Sequence, residues 1–209
     1  MPTKNWTRAT LVLFSAIIFL ASIATGQSID AHGLQWISGI SSAIILLFTL
    51  YDKWAWKWPL LGKLTELAGH PIVYGTWKGT LQFEADGKGK PGRITGYFSI
   101  HQTFSTVRIR GFFSTSESSS ITATIDNPQP GQRRIVFAYH SLAPHGKRDQ
   151  NRPHDGMVML NIVGMPADSI AGSYFTDRGG SGTVTLEEHS SKLSESFAQA
   201  EKLTYRKRV

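Results

Sequence analysis

The sequence predicts an N-terminal two-helix transmembrane hairpin followed by an all-β, eight-stranded antiparallel up-and-down barrel. The hairpin is predicted by two apolar runs, residues 9–26 and 34–51, each of which has 18 residues without a Lys, Arg, Asp or Glu. At about 1.5 Å per residue, such a run reaches about 27 Å, close to the thickness of a bilayer's hydrocarbon core. The barrel is predicted by the period-two alternation of apolar and polar residues that begins at Val73 and recurs to Glu188.

Basic residues flank the two apolar runs and predict their orientation. Lys4 and Arg8 precede the first run, Lys53, Lys57 and Lys63 follow the second, and the short connector between the runs has no Lys or Arg. This positive-inside pattern predicts that both termini lie in the cytoplasm. A cleaved signal peptide is an alternative for the first run, although the run is longer than the usual apolar core of such a peptide. A helical hairpin buried in a soluble domain is a further alternative, but such helices normally carry a polar stripe.

An aromatic and basic segment follows the second run. Trp54, Trp56, Lys57 and Trp58 lie where the chain leaves the predicted membrane. Tryptophans at headgroup depth with neighbouring lysines are typical of a membrane-interface anchor. The alternative is that these tryptophans belong to the core of the following domain. Residues 60–69 are predicted to form a short linking helix.

Composition limits the classes of function. About 120 of the 209 residues remain for one small domain and a tail. A net charge of +7 and an isoelectric point near 9.7 suit a neighbour of anionic lipid or a binder of a phosphorylated ligand. The absence of cysteine excludes disulfides and Cys-based zinc sites. His145, His154 and Asp155 share one segment, but their spacing does not predict a metal site, and we expect no cofactor. No nucleophile elbow, paired-carboxylate site or metal cluster is present, so we expect a protein that is not an enzyme.

Eight segments alternate with period two and are separated by turn residues. They are residues 73–84, 93–104, 106–116, 119–126, 132–141, 156–163, 168–176 and 182–188. Short turns between antiparallel strands favour an up-and-down barrel over a sandwich, because closure removes the exposed edges. A transmembrane barrel is excluded by the polar outward phase of the first strand, which includes Lys78, Gln82 and Glu84.

The topology predicts where a pocket would open. The first strand starts at the membrane linker, so its far end is the distal mouth. The loops at that mouth are residues 85–92, 116–118, 142–155 and 177–181, and the basic residues among them would surround it with positive charge. Trp77, near the start of its strand, is expected to plug the membrane-proximal end of the barrel.

Inward positions near the mouth are candidate ligand-binding residues. The alternation places Tyr174, Thr176 and either Tyr139 or His140 inside the rim, with Arg178 in the adjoining turn. Aromatic faces stack on nucleobases and guanidinium groups pair with phosphates. The alternative is that the tyrosines fill the core with their hydroxyls satisfied at the rim. The Gly-rich turn at residues 177–182 could be an anion-binding nest or a plain hairpin turn.

Arg110 is a further candidate ligand-binding residue. It alternates with Ile109, and this pattern favours the solvated outer face for Arg110. A bulge or a register shift would turn it inward.

Three sequence features together resemble a known family: the two apolar runs, the aromatic junction, and the motifs at the two ends of the barrel. The motifs are Val73-Tyr74-Gly75-Thr76-Trp77-Lys78-Gly79-Thr80-Leu81 and Ala171-Gly172-Ser173-Tyr174-Phe175, followed by residues 180–186. They resemble the two-transmembrane, β-strand-rich (SMODS-associated 2TM β-barrel) effectors of CBASS anti-phage systems. The resemblance extends from Met1 to about Glu188.

The resemblance implies a membrane-embedded effector in the bacterial inner membrane, two-pass, with both termini cytoplasmic. Its barrel would bind a cyclic dinucleotide made by a partner nucleotidyltransferase. Binding would trigger homo-oligomerisation through the transmembrane helices, disruption of the lipid membrane, and death or arrest of the infected cell, with no direct contact to DNA or RNA. The alternative is a membrane-tethered lipocalin-like barrel that binds an apolar ligand. The chain then divides into a two-transmembrane hairpin (1–52), an interfacial aromatic linker (53–70), a barrel sensor domain (71–189) and a basic C-terminal tail (190–209).

Overall fold

The chain divides into two compact units, Met1–Trp56 and Lys57–Val209. The computed structural model describes residues 31–58, 60–63, 70–83, 91–129, 131–144, 146, 148 and 151–208. The first predicted apolar run, residues 9–26, lies outside the described residues.

The first unit contains a helix, α1 (Ala31–Lys53), after which the chain forms a 3₁₀ turn at Ala55–Lys57. The second predicted apolar run, residues 34–51, falls within α1. Among the α1 side chains that the structure describes, seven large apolar ones from Ile40 to Leu50 are 40–66% exposed. No helix in the described part of the chain is both long enough and apolar enough to cross a membrane. The two-helix hairpin therefore stays a prediction.

The second unit is built on eight antiparallel strands in the order of the sequence. They are β1 (Gly75–Phe83), β2 (Gly92–Gln102), β3 (Val107–Phe112), β4 (Glu117–Asp126), β5 (Arg133–Leu142), β6 (His154–Val163), β7 (Ser169–Thr176) and β8 (Ser181–Ser190). Each strand pairs with its neighbour in sequence, and β1 also pairs with β8, which closes the barrel. The prediction of an eight-stranded antiparallel up-and-down barrel is confirmed.

The register sets which side chains point into the barrel. Trp77 of β1 faces Phe98 of β2, and Gly79 faces Gly96. A bulge between Lys78 and Gly79 interrupts the β1–β8 pairing. A second irregularity, between Ser120 and Thr122, interrupts the β4–β5 pairing. The inward phase holds one hydrophobic core cluster with contributions from β1, β2, β3, β5, β6, β7 and β8. Burial of this apolar surface is the main stabilising contribution to the barrel.

The residues after β8 pack on the outside of the barrel. They form a short helix, α2 (Phe197–Glu201), and a two-residue strand, β9 (Arg206–Lys207), that pairs with the end of β8. Phe197, Ala200 and Tyr205 cover Tyr97 and Phe112, two outward-facing side chains that are 6% and 1% exposed. The tail predicted for residues 190–209 thus contributes to a second, smaller core over β2 and β3.

Candidate functional site at the distal end of the barrel

The distal end is the end of the barrel where β1 finishes and β2 starts. The β3–β4, β5–β6 and β7–β8 connections lie at the same end, because neighbouring strands run in opposite directions. The chain reaches the opposite, proximal end through residues 70–74, just before β1. The distal end is therefore the end of the barrel opposite to the segment that leads into β1.

Four aromatic side chains lie at the distal end, each over a glycine of the neighbouring strand. We call this group the aromatic collar: Phe83 over Gly92, Phe113 over Gly96, Tyr139 over Gly156 and Tyr174 over Gly182. A Cβ at position 156 would come 2.6 Å from Cζ of Tyr139, and one at position 182 would come 2.8 Å from Cε1 of Tyr174. Real Cβ atoms do not approach so closely, so the glycines make room for the rings.

The two tyrosines of the collar have buried side chains near the distal end of the barrel. Tyr139 and Tyr174 are each 9% exposed. Burial, and then the neighbouring Tyr174, raise the pKa of Tyr139 to about 12, against the opposing effect of Arg178. Burial also raises the pKa of Tyr174. Both hydroxyls are therefore neutral at physiological pH and can both donate and accept a hydrogen bond.

Arg178, in the turn between β7 and β8, is joined to the start of β6. Its Nη2 donates to Oδ1 of Asn151 at 3.2 Å and lies 2.8 Å from Nδ1 of His154. The His154 ring in turn lies edge-on to Tyr139, with 6.0 Å between ring centroids. A guanidinium group is thus placed next to the aromatic collar, and the described groups that hold it, Asn151 and His154, lie near the solvent.

The Nδ1 atom of His154 faces two partners that require opposite protonation. It lies 3.1 Å from the carbonyl oxygen of Arg152, which needs an N–H donor, and 2.8 Å from the guanidinium of Arg178, which needs a lone pair. Burial first, and also the charge of Arg178, lower the pKa of His154, while the hydrogen bond to Arg152 opposes the shift. The neutral ring with a free Nδ1 lone pair can accept the hydrogen bond from Arg178.

Thr176 stabilises the β7–β8 turn. Its Oγ1 accepts a hydrogen bond from the backbone N–H of Gly180 at 3.1 Å, and its own N–H donates to the Gly180 carbonyl at 2.8 Å. Gly179 has φ of +80°, which favours glycine. The segment at residues 177–180 is a closed hairpin turn, the second of the two alternatives drawn from the sequence.

The structure places His140 and Arg110 away from the inward-facing tyrosines. The alternative between Tyr139 and His140 is resolved in favour of Tyr139, because His140 is exposed and its Nδ1 lies 2.6 Å from Oδ1 of Asp155 on the outer face. Arg110 is also on the outer face, as its alternation with Ile109 favours. Its Nη2 donates to Oε2 of Glu117 at 3.1 Å. A direct ligand contact by either side chain stays a prediction.

Trp77 lies in the core near the proximal end of the barrel. It is fully buried, and its Nε1 donates to the carbonyl of Val73 at 2.8 Å. The ring contacts His189, with 4.7 Å between centroids. The role of Trp77 as a plug of the proximal end stays a prediction.

The tryptophans of the predicted interface anchor differ in exposure. Trp54 is 56% exposed and Trp58 is 61% exposed, whereas Trp56 is fully buried. Lys57 lies with Nζ 3.8 Å from the centroid of the Tyr74 ring, and burial lowers the pKa of Lys57. Contact of these four residues with a membrane stays a prediction.

A cavity of about 490 Å³ opens at the rim between β1, β2 and β8. Its described lining is Gln82, Phe83, Pro91, Gly92, Arg93 and Thr183. Gln82, Arg93 and Thr183 lie on the outward phase of their strands and pair with one another across the sheet, so the Arg93 guanidinium is on the outer face. Deeper in the barrel, the described inward positions are filled by large side chains such as Trp77, Phe98 and Leu160, all under 5% exposed.

Sequence analysis missed Phe83, Phe113, Asn151 and His154 as neighbours of the site. A usable signal was present for the first two, since each distal glycine on the inward phase has an aromatic residue at or beside its cross-strand position. No sequence signal pairs Asn151 or His154 with Arg178, because the contact joins two separate loops. Among the described residues, no group of His, Asp or Glu side chains is arranged to hold a metal ion.

Comparison with known protein families gives one match. Residues 69–188 match the family model described as Cap15, cyclic dinucleotide receptor domain. The matched region covers β1 to β7 and β8 as far as Glu188, and therefore the whole aromatic collar together with Arg178. A search of curated proteins finds no match.

Proposed function

This chain belongs to the Cap15 cyclic dinucleotide receptor domain family of CBASS effectors, and from this premise we propose that the aromatic collar with Arg178 is the place where the cyclic dinucleotide binds. A cyclic dinucleotide has two nucleobases and two phosphodiester anions. The collar brings aromatic rings to the distal end for stacking, and Arg178 offers a guanidinium group for an anion.

The observation that carries this proposal is the collar itself. Four rings seated over four glycines bring aromatic groups together at one end of a receptor barrel, where they pack with the core cluster. Two of the rings carry neutral hydroxyls, which can hydrogen-bond to base edges or phosphate oxygens. The large side chains at the described inward positions support a ligand held at the rim rather than an apolar ligand held inside, as in a lipocalin-like barrel.

We further propose that binding is coupled to the N-terminal unit. In this proposal the chain is a two-pass protein of the bacterial inner membrane with cytoplasmic termini, and it acts by binding rather than by catalysis. The signal would come from a nucleotidyltransferase, and occupancy of the barrel would favour self-association through the helices and disruption of the membrane. The exposed apolar side chains of α1, among them Leu46, Leu47 and Phe48, support a lipid or helix partner for that helix.

The experiment is a calorimetric titration of the detergent-solubilised full chain with a panel of cyclic dinucleotides. Tyr174→Ala removes an inward ring, whereas Phe175→Ala removes the adjacent ring, which is 49% exposed on the outer face. We expect Tyr174→Ala to weaken binding by about 1–3 kcal/mol, the range for loss of a stacked base, and Phe175→Ala to have no effect. Equal affinities for both variants would reject the collar as the site.

A further inference from the structure

The segment that leads into β1 is fixed to the proximal end of the barrel. The Oε1 atom of Gln102 accepts a hydrogen bond from the N–H of Val73 at 2.8 Å, and its Nε2 donates to the carbonyl of Pro71 at 2.9 Å. The Trp77 indole N–H donates a hydrogen bond to the carbonyl of Val73. Residues 71–74 therefore form a rigid base on which neighbouring groups can be positioned.

Two stretches that are far apart in sequence meet on this base. From the N-terminal side, Lys57 covers the Tyr74 ring and Gly62 lies beside Ile72. From the C-terminal side, Nη1 of Arg208 donates to the carbonyls of Ile72 and Ala167, each at 3.4 Å. The C-terminal strand is thus brought next to the turn that precedes the barrel.

The groups that the two stretches carry near this base are both basic and apolar. We call them together the linker face: Lys57, Trp58, Leu60, Arg206 and Lys207. Leu60 is 82% exposed and Trp58 is 61% exposed. Arg206 is exposed, and Lys207, with a side chain 70% exposed, has an acidic neighbour, Glu187, at 3.9 Å. Folding of the barrel leaves these large apolar groups in contact with solvent.

We propose that the linker face binds anionic lipid headgroups and holds the proximal end of the barrel against the membrane. A free anion would use the basic groups but not an exposed Trp and Leu, whereas an uncharged apolar ligand would use only the latter. An anionic bilayer surface uses both, since Trp settles at headgroup depth and Lys and Arg meet the lipid phosphates. This inference rests on the proposed membrane location of the N-terminal unit.

The C-terminal strand is the new element of this surface. Its basic residues do not lie in or next to an apolar run, so the sequence alone does not connect them with a membrane. The pairing of Arg206 with His189, and of Lys207 with Glu188, sets them at the end of the barrel where the linker arrives. Two of the cations on the linker face are therefore contributed by the opposite end of the chain.

The test uses the full chain in nanodiscs, with one reporter on the C-terminal segment. The protein has no cysteine, so Thr204→Cys, at an exposed position, gives a single site for an environment-sensitive thiol dye. We expect a blue-shifted emission in discs that contain phosphatidylglycerol, relative to discs of phosphatidylcholine alone. The shift should be reversed by high salt, which screens exposed charges.

Charge variants identify the groups responsible. Arg206→Gln and Lys207→Gln should each reduce the shift, and the double variant should abolish it. Lys202→Gln removes an exposed cation of the same segment outside the linker face, and it should leave the shift unchanged. Equal emission in the two kinds of disc, or equal loss with Lys202→Gln, would overturn the proposal. A shift produced in neutral discs by inorganic phosphate would also overturn it in favour of a free anion.

The same preparations separate this inference from the proposed function. Cyclic dinucleotide affinity, measured by calorimetry, should be the same in the Arg206→Gln/Lys207→Gln variant as in the unchanged chain. Lost lipid response with intact ligand binding would reject only the linker face. Failure of the unchanged chain to enter the discs would reject the membrane location itself.

Discussion

The Tyr139 ring lies over Gly156, its cross-strand partner, so closely that a Cβ at position 156 would come 2.6 Å from Cζ of the ring. The same added atom would come 2.6 Å from the backbone carbonyl oxygen of Phe175. The Tyr139 ring cannot move away from Gly156 without leaving the collar. Strand β6 cannot move away from the ring without breaking its pairing with β7. The position of Tyr139 in the site therefore depends on the absence of a side chain at residue 156.

Gly156→Ala should lower stability and weaken ligand binding together. Overpacking a close contact of this kind costs about 1–3 kcal/mol, so we expect a lower melting temperature and a lower affinity for the cyclic dinucleotide. Gly146→Ala is the matched control, because a Cβ at position 146 meets no atom within 4 Å. Thermal melting and calorimetry on the two variants measure both effects. Wild-type affinity in Gly156→Ala would show that Tyr139 is not needed in its present position.

Phe112→Ala should destabilise the domain although Phe112 lies on the outside of the barrel. Phe112 is 1% exposed under Phe197, Ala200 and Tyr205, so its loss should cost about 3–5 kcal/mol, as for a core phenylalanine. Phe175→Ala, on an exposed part of the outer face, should cost less than about 1 kcal/mol. Similar melting temperatures for these two variants would mean that the C-terminal segment does not pack as described.

Stability should fall on acidification because of His189. Burial lowers the pKa of His189 to about 4 from an ordinary value of 6.5, and the nearby Arg208 acts in the same direction. Between these values the unfolded chain binds a proton that the folded chain excludes, so stability decreases as pH falls from about 6.5 to about 4. The full loss is about 3 kcal/mol for a shift of this size.

The His189→Gln variant tests this assignment. A neutral side chain at position 189 should remove most of the loss of stability between pH 6.5 and pH 4. The measurement is the melting temperature as a function of pH for both proteins, with His140→Gln, an exposed histidine, as the control. An unchanged pH profile in His189→Gln would assign the effect to another group.

Ligand affinity should rise as pH falls through the neutral range because of His154. The neutral His154 ring accepts a hydrogen bond from Arg178, and a bound phosphate favours the protonated ring and a released guanidinium. Arg178, Asp177, His140 and Tyr139 also face the His154 ring. Ligand binding then adds at most one proton, at His154. The affinity therefore rises by at most about tenfold for each unit by which the pH falls. His154→Gln should abolish this dependence in calorimetric titrations at several pH values, and its persistence would exclude His154.

The sequence was sufficient to predict the barrel and most of its strands. Period-two alternation and explicit turns specify strand positions locally, and β1, β5 and β7 differ from their predicted ranges by no more than two residues at either end. The inward phase correctly placed Tyr174, since alternation sets which face a side chain occupies. The pattern could not decide whether Tyr139 or His140 points inward, because a register shift of one residue exchanges the inward and outward faces.

Contacts between distant segments could not be predicted from the sequence. The bond of Arg178 to Asn151 depends on how two loops fold over the rim. Phe197 and Tyr205 pack over Phe112, and this packing depends on where the chain turns after β8. Neither arrangement has a local periodicity, so only the three-dimensional structure shows that these residues belong together.

The most direct test of the central claim is NMR of the detergent-solubilised full chain with ¹³C-labelled tyrosine during a cyclic dinucleotide titration. Six tyrosines give six signals: Tyr139 and Tyr174 lie in the collar, while Tyr97 and Tyr205 lie on the outer face under the C-terminal segment. We predict that the collar signals shift with the ligand and that the signals of Tyr97 and Tyr205 do not. Shifts at Tyr97 and Tyr205 with unchanged Tyr139 and Tyr174 would contradict the account.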